Sequence, residues 1–319
     1  MRRAVTRWAG FAIYLLALTG LLEGLARLVI ARPVEYLEPD PDPELLYRLK
    51  PGVTMANGTL FKIDDFRVVV GRQHCRIPSD GIEAFPPDRT RILFVGDSFT
   101  FSQGVDFERA YPWLIQETLN AQGWSPPVQA IDCAVDGYNF TQIVRSAEQR
   151  LETFRPDLLV VPLFLNDLNE PFQLQKMFPK SDAAAWFIRH VRLVRLAVVL
   201  KHALADAVQP VPLAPAVIDR GVDRILAAAR ATGTRVLFLL LSDVPHPEVD
   251  LPALLTQKQA DWLRLPDFHT PELTFPRNGH WNPRGHARVA DWLTPRIAER
   301  LEAAAGSPGR TGQIPRGAP

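Results

Sequence analysis

Ile92, Leu93, Phe94, Val95, Gly96, Asp97, Ser98, Phe99, Thr100 is the stretch on which the fold turns. An unbroken apolar run halts at glycine, aspartate and serine. With no polar face, such a run suits a strand buried on both sides, as in a parallel sheet covered by helices. Similar runs recur at 128–131, 158–163 and 236–241. Helical patterns fill 111–122, 140–154 and 217–231 between them, and another follows at 283–304. Arg155, Pro156 and Asp157 punctuate one helix-to-strand junction and Gly233 another. Alternating strands and helices predict an α/β fold: a three-layer, doubly wound, mainly parallel sheet spanning 90–305, with a largely helical insertion at 171–215. Ligands of such sheets sit at the carboxyl ends of the strands.

Toward the amino terminus, residues 33–89 are rich in Pro, Asp and Gly with short β-favouring stretches such as 66–70, which predicts a small, irregular, strand-containing lead-in. Before it, Arg2, Arg3 and Arg7 precede an uncharged run at 8–22, and apolar character resumes after Glu23 and Arg27. About 20 residues at 1.5 Å each cover the bilayer hydrocarbon. Residues 1–32 therefore read as a basic cytoplasmic leader and a single transmembrane anchor, with everything beyond in the periplasm or outside. A cleaved signal peptide is the competing reading, and no small-residue cleavage site follows the run. Glu23 and Arg27, four apart, can pair on one helix face. Within the insertion, Trp186, Phe187 and Ile188 lead an apolar stretch punctuated by Arg189, Arg192 and Arg195, which suits a packed helix with solvated arginines, a membrane-surface helix or a lid. The tail, 306–319, has too little apolar surface to fold.

The totals narrow the function. With 36 basic and 35 acidic residues among 319, there is no bulk charge to draw the chain to nucleic acid. Cys75 and Cys133, the two cysteines, match no zinc site and make at most one bridge, which sequence leaves open. His190, His202, His246 and His269 have no metal-ligand spacing, so neither metal nor cofactor is expected.

Chemistry-bearing residues gather at the ends of the strand runs. Ser98 stands where the first strand gives way to a loop, a position at which backbone N–H groups can face a developing negative charge. Taken alone, such a serine is more often a helix cap than a nucleophile. The second run is followed by Asp132, Cys133, Ala134, Val135, Asp136, Gly137, Tyr138 and Asn139, and the third by Leu165, Asn166 and Asp167. Asn278, Gly279, His280, Trp281, Asn282, Pro283, Arg284, Gly285 and His286 lead into the last helix.

In this order the four blocks resemble those of the SGNH (GDSL-like) hydrolase superfamily, over roughly 90–170 and 270–300. The resemblance implies Ser98 as nucleophile, His280 as its base, and an oxyanion hole formed by the N–H groups of Ser98 and Gly137 and the amide of Asn166. Such a site transfers acyl groups through an acyl-serine. His286 is expected to pack in the final helix, and Trp281 and Asn282 to shape and cap the turn before it. The lead-in, with Pro78, Ser79, Asp80, Gly81 and Ile82, is similar to that of bacterial membrane-anchored members.

One departure matters most. Relatives place an aspartate two or three residues before the histidine, where this chain has Asn278 and Arg277. Three readings stay open: a Ser–His dyad helped by a backbone carbonyl, a carboxylate from elsewhere such as Asp267 or Asp243, or a catalytically weak glycan-binding or assembly scaffold. The other departures, Asp132 where Asn is usual and Ala134 where Gly is usual, leave the oxyanion donors in place. An O-acyl esterase or acyltransferase acting on carbohydrate or cell-envelope material leads the functional readings. A general carboxylesterase or lipase stands beside it, and protein partners are not specified.

Overall fold

The computed structural model describes residues 2–29, 36–57, 65–164, 166–170, 183, 186–187, 190–194, 196–197, 211–243, 246–276 and 279–305. Helix α1, Arg2–Val29, contains the segment Trp8–Leu28, which is exposed along its length and long and apolar enough to cross a membrane. The expected Glu23–Arg27 pair forms at 2.8 Å. Glu23 also accepts the backbone N–H groups of Arg192 at 2.9 Å and Leu193 at 3.1 Å, so part of the insertion docks on the apolar helix through its one carboxylate. Most of 171–215, the 32/33 boundary and the tail 306–319 lie outside the described residues; those of the insertion that are described at 183–197 are mostly helical.

The lead-in is more ordered than its composition suggests. Two antiparallel pairs build it: β1 (Leu37–Pro39) with β2 (Tyr47–Leu49), and β3 (Gly52–Asn57) with β4 (Asp65–Val70). Cys75 and Cys133 form a disulfide that ties the end of this region to the main sheet. Arg76, next in the chain, reinforces the tie with its backbone N–H on the Asp132 carbonyl at 2.8 Å. Its buried guanidinium donates to the carbonyls of Phe101 at 2.5 Å and Val105 at 3.0 Å. Burial of a charge is tolerated here because fixed carbonyl dipoles replace its water.

The main sheet comprises β5 (Thr90–Phe94), β6 (Val128–Asp132), β7 (Leu158–Leu163), β8 (Arg235–Leu240) and β9 (Asp261–Arg264), in the order β6-β5-β7-β8-β9 and parallel throughout. Every residue of β7 is buried, as the lack of a polar face requires. Helices α3 (Phe140–Phe154) and α4 (Pro215–Thr232) cover one face, where Ile143, Val144, Ala147 and Leu151 meet Ile218, Val222 and Ile225. Helices α2 (Tyr111–Ala121) and α6 (Pro283–Ala305) cover the other, with Ile115 and Leu119 against Val289, Leu293 and Ile297. The expected three-layer, doubly wound architecture is thus present. Helix α5 (Leu251–Gln257) and strand β9 add an edge that periodicity does not announce. β9 has four residues, with exposed Asp261 and Arg264 at its ends, and reads in sequence as loop.

Because the chain passes from β5 out to β6 and back to β7 on the other side, its connections diverge at β5. The loops after β5, β6 and β7 therefore share one rim of the sheet, at the switch point where doubly wound folds bind ligands.

Candidate active site

Ser98 lies on a tight turn after β5. The Asp97 carboxylate accepts the Phe99 N–H at 3.0 Å, the Phe101 N–H returns to the Asp97 carbonyl at 2.9 Å, and the Gln103 N–H to the Ser98 carbonyl at 3.0 Å. Gly96 makes the turn possible: at φ +153 its position is one that side chains avoid, and a Cβ there would lie 2.7 Å from Thr100 Oγ1. The Ser98 side chain is left half-exposed at the rim.

His280 comes from a turn before α6. The Phe275 N–H bonds the His280 carbonyl at 2.8 Å, and the Gly279 N–H bonds the Phe275 carbonyl at 3.0 Å. Trp281 is fully buried beneath, and the Asn282 side chain accepts the N–H groups of Arg284 at 2.9 Å and Gly285 at 3.1 Å, capping α6. Held in this way, His280 Nε2 stands 2.8 Å from Ser98 Oγ across 182 residues of sequence. Its ring also rests on Phe99, with centroids 4.8 Å apart. The arrangement can carry the Ser98 proton onto the imidazole.

Gly137 follows β6 at φ +78, a conformation that favours glycine. Its N–H belongs to the same peptide as the Asp136 carbonyl, which accepts the Tyr47 hydroxyl at 3.2 Å. In a trans peptide the two groups point opposite ways, so Tyr47 on one side aims the N–H toward the other. Asn166 follows β7 and is exposed. Its loop is tied to that of Gly137 by Asn139 Nδ2 on the Asn169 carbonyl at 2.7 Å and by the Phe140 N–H on the Asp167 carbonyl at 2.8 Å. Among the described residues, no hydrogen bond uses the N–H of Ser98 or Gly137 or the side-chain amide of Asn166. Those donors remain available to a ligand.

The residues weighed as partners of the imidazole fall differently. Asp243 is exposed and pairs with Arg264 at 2.7 Å. Asp267, also exposed, accepts the His269 N–H at 2.9 Å and lies 3.7 Å from that residue's Nδ1. Asn278 lies outside the described residues. His286 is buried in α6 and stacks on Tyr111; burial holds its pKa down to about 3, so it packs as a neutral ring.

A set of acids that periodicity does not mark lies behind the rim. Burial raises the carboxyls of Asp97, to about 7, and Asp167, where the charge of Asp97 adds to the effect. Asp136 is raised by burial, against hydrogen bonds from Tyr36 and Gln103 and the charge of His280. Its carboxylate Oδ2 accepts the Tyr36 hydroxyl at 2.8 Å and Gln103 Nε2 at 3.0 Å. Each of these aspartates stands in one of the strand-end blocks of the sequence, but nothing there marks it as buried. Nothing in sequence marks Tyr36, Tyr47 or Gln103.

No family model and no curated protein matches the chain. Among solved structures it is similar in fold to the esterase EstA from Pseudoalteromonas sp., at 14% identity over 67% of this chain and 99% of that one, with a TM-score of 0.44. A family 3 carbohydrate esterase of Clostridium thermocellum is similar at 16% identity, 68% and 100% coverage and a TM-score of 0.42. AlinE4, an SGNH-hydrolase family esterase, is similar at 18% identity, 68% and 99% coverage and a TM-score of 0.39.

Proposed function

We propose that the chain is a membrane-tethered serine esterase or acyltransferase working outside the cytoplasm, on short O-acyl groups of carbohydrate or cell-envelope material. The observation that carries this reading is the 2.8 Å contact of His280 Nε2 with Ser98 Oγ at the rim where the Gly137 and Asn166 loops also end. Ser98 Oγ attacks the ester carbonyl as its proton passes to His280 Nε2. The N–H groups of Ser98 and Gly137 and the Asn166 amide hold the oxyanion. His280 then returns the proton to the leaving alcohol; water or a sugar hydroxyl, giving its proton to His280, attacks the acyl carbon, and His280 passes that proton to Ser98 Oγ as the acyl–oxygen bond breaks.

Three features support the remainder. The Cys75–Cys133 disulfide suits an oxidising compartment. The exposed apolar helix Trp8–Leu28 behind Arg2, Arg3 and Arg7 suits a single span with the site on the far side. Half-exposed Ser98 and His280 beside exposed Asn166 form an open rim that admits an ester carried on a large polar molecule.

Incubation of the full chain in detergent with a fluorophosphonate probe tests the chemistry. Labelling of Ser98 that is absent from Ser98→Ala, with acetyl release from O-acetylated glycan exceeding release of long acyl chains, is the expected result. A folded protein that neither labels nor turns over any activated ester would leave a scaffold in place of an enzyme.

A further inference from the structure

The apolar segment Trp8–Leu28 carries two ionisable side chains, Glu23 and Arg27, and the insertion at 171–215 engages both. Glu23 Oε1 accepts Arg27 Nε at 2.8 Å and the Arg192 N–H at 2.9 Å, while Oε2 accepts the Leu193 N–H at 3.1 Å. Arg27 Nη2 donates to the His190 carbonyl at 2.8 Å. Between these partners Val191 interrupts the helical residues on either side. The anion thus meets N–H groups where one helical stretch begins, and the cation a carbonyl where another ends, which is the pairing that backbone dipoles favour. Such contacts lower the cost of carrying two charges on a helix suited to lipid.

The turn just before this junction carries two aromatic residues. The Val191 N–H bonds the Phe187 carbonyl at 2.8 Å, and His190 Nδ1 lies 2.8 Å from the Trp186 carbonyl. The Trp186 ring stacks on His190 with centroids 4.6 Å apart and meets Phe187 edge-on at 5.2 Å. Trp186 and Phe187 are still 53% and 51% exposed, so much of each ring is left for something outside the domain. From 183 to 205 the sequence has Arg189, Arg192, Arg195 and Lys201 and no acid. A stretch of aromatic residues and cations suits the boundary between lipid tails and anionic headgroups. The depth agrees: the span ends at Leu28, so at 1.5 Å per residue Glu23 lies about 8 Å inside that boundary.

We propose that the insertion is a second membrane contact: seated on Glu23 and Arg27, it lies in the headgroup boundary of the bilayer that α1 spans, with Trp186 and Phe187 against lipid. The proposal rests on the reading of α1 as an anchor. Cleavage after α1 would strip the Arg192 and Leu193 N–H groups of the acceptor they have here, so the contact favours a retained helix. At the neck of the insertion the Glu170 N–H bonds the Val211 carbonyl at 2.7 Å and the Leu213 N–H the Leu168 carbonyl at 2.8 Å. That neck belongs to the loop carrying Asn166, and the insertion therefore links the proposed oxyanion loop to the membrane surface.

The full chain in nanodiscs of phosphatidylglycerol and phosphatidylcholine serves for the test, the phosphatidylcholine brominated high on its acyl chains so that it quenches tryptophan at the boundary. Trp186 fluorescence is read as the difference between wild type and Trp186→Phe, and that of Trp8, within the span, as the difference between wild type and Trp8→Phe. Both should be quenched by the brominated lipid, and iodide in the water should reach Trp186 little. Glu23→Ala should lose most of the Trp186 quenching and keep that of Trp8. With Trp8 quenched, a Trp186 reached by iodide and not by bromine overturns the proposal. So does a Trp186 shielded from both, which would mark a protein partner such as a second copy of the chain. Trp186 quenching unchanged in Glu23→Ala would overturn the seating on the anchor. A Trp8 that bromine does not quench would defeat the anchor reading itself, and this proposal with it.

Discussion

Tyr47 donates its hydroxyl to the Asp136 carbonyl at 3.2 Å, on the far side of the peptide whose N–H belongs to Gly137. A residue of the lead-in therefore sets the direction of a donor at the rim of the main sheet. Tyr47→Phe removes the bond to the Asp136 carbonyl, a neutral hydrogen bond worth about 1 kcal/mol. The expected outcome is a roughly fivefold loss in kcat with KM nearly unchanged, because the donor matters most once the oxyanion forms. Steady-state kinetics on an activated acetyl ester check it; a loss confined to KM would count against the orienting role.

Asn166, exposed at the end of β7, is one of the three proposed oxyanion donors. Asn166→Ala should lower kcat by about 10² to 10³, the usual cost of one oxyanion donor. Fluorophosphonate labelling of Ser98 should slow in parallel. Retained wild-type turnover would exclude the amide from the site.

The Cys75–Cys133 bridge closes a loop with a sequence separation of 58 between lead-in and β6. In the chain-entropy account a loop of that size stabilises by about 4 kcal/mol. The double variant Cys75→Ser, Cys133→Ser should lose about 2–5 kcal/mol in urea unfolding. Activity should fall more steeply than the folded fraction, since the bridge holds the loop that carries Asp136 and Gly137. Activity that tracks the folded fraction would separate the bridge from the site.

Asp132 is fully buried at the end of β6, and burial raises its carboxyl from 3.8 to about 7 despite the charge of Arg76. Between those values the folded chain keeps a proton that the unfolded chain has lost, so this residue's contribution to stability falls as pH rises through the window. Asp132→Asn cannot ionise. Its stability relative to wild type should therefore rise between about pH 4 and pH 7 and level off above. Urea midpoints across that range provide the check; a flat difference would mean that Asp132 ionises at its ordinary pH.

Gly285, in the first turn of α6, leaves no room for a side chain. A Cβ there would lie 2.2 Å from the Leu273 carbonyl oxygen and 2.8 Å from the Trp281 Cβ. Gly285→Ala forces the helix off the turn that presents His280 and should cost about 1–3 kcal/mol as an overpacked contact. The kinetic loss should exceed the loss of stability, because a displacement of about 1 Å in a reacting group costs on the order of 10²-fold. Thermal unfolding and kcat/KM measured together decide it.

The sequence by itself determined the layers and the order of the chemistry along them. Strands such as Leu158–Leu163 are buried on both faces, and periodicity alone tells them from the amphipathic α3. Gly96, Ser98, Gly137 and His280, the residues on which the proposed site rests, stand out in the sequence because each interrupts or follows such a pattern at a strand's or helix's end. The short edge strand β9 was not, since four residues with exposed charged ends look like loop. Only the tertiary structure could bring Ser98 within 2.8 Å of His280, join Cys75 to Cys133, and lay Tyr36 and Tyr47 against the Asp136 loop. Those are contacts between distant stretches, and no local propensity encodes them. Where each carboxylate turns is likewise decided by packing: Asp243 and Asp267 stand close in sequence to the strand ends but turn to Arg264 and His269, whereas Asp136 is held by hydrogen bonds from Tyr36 and Gln103.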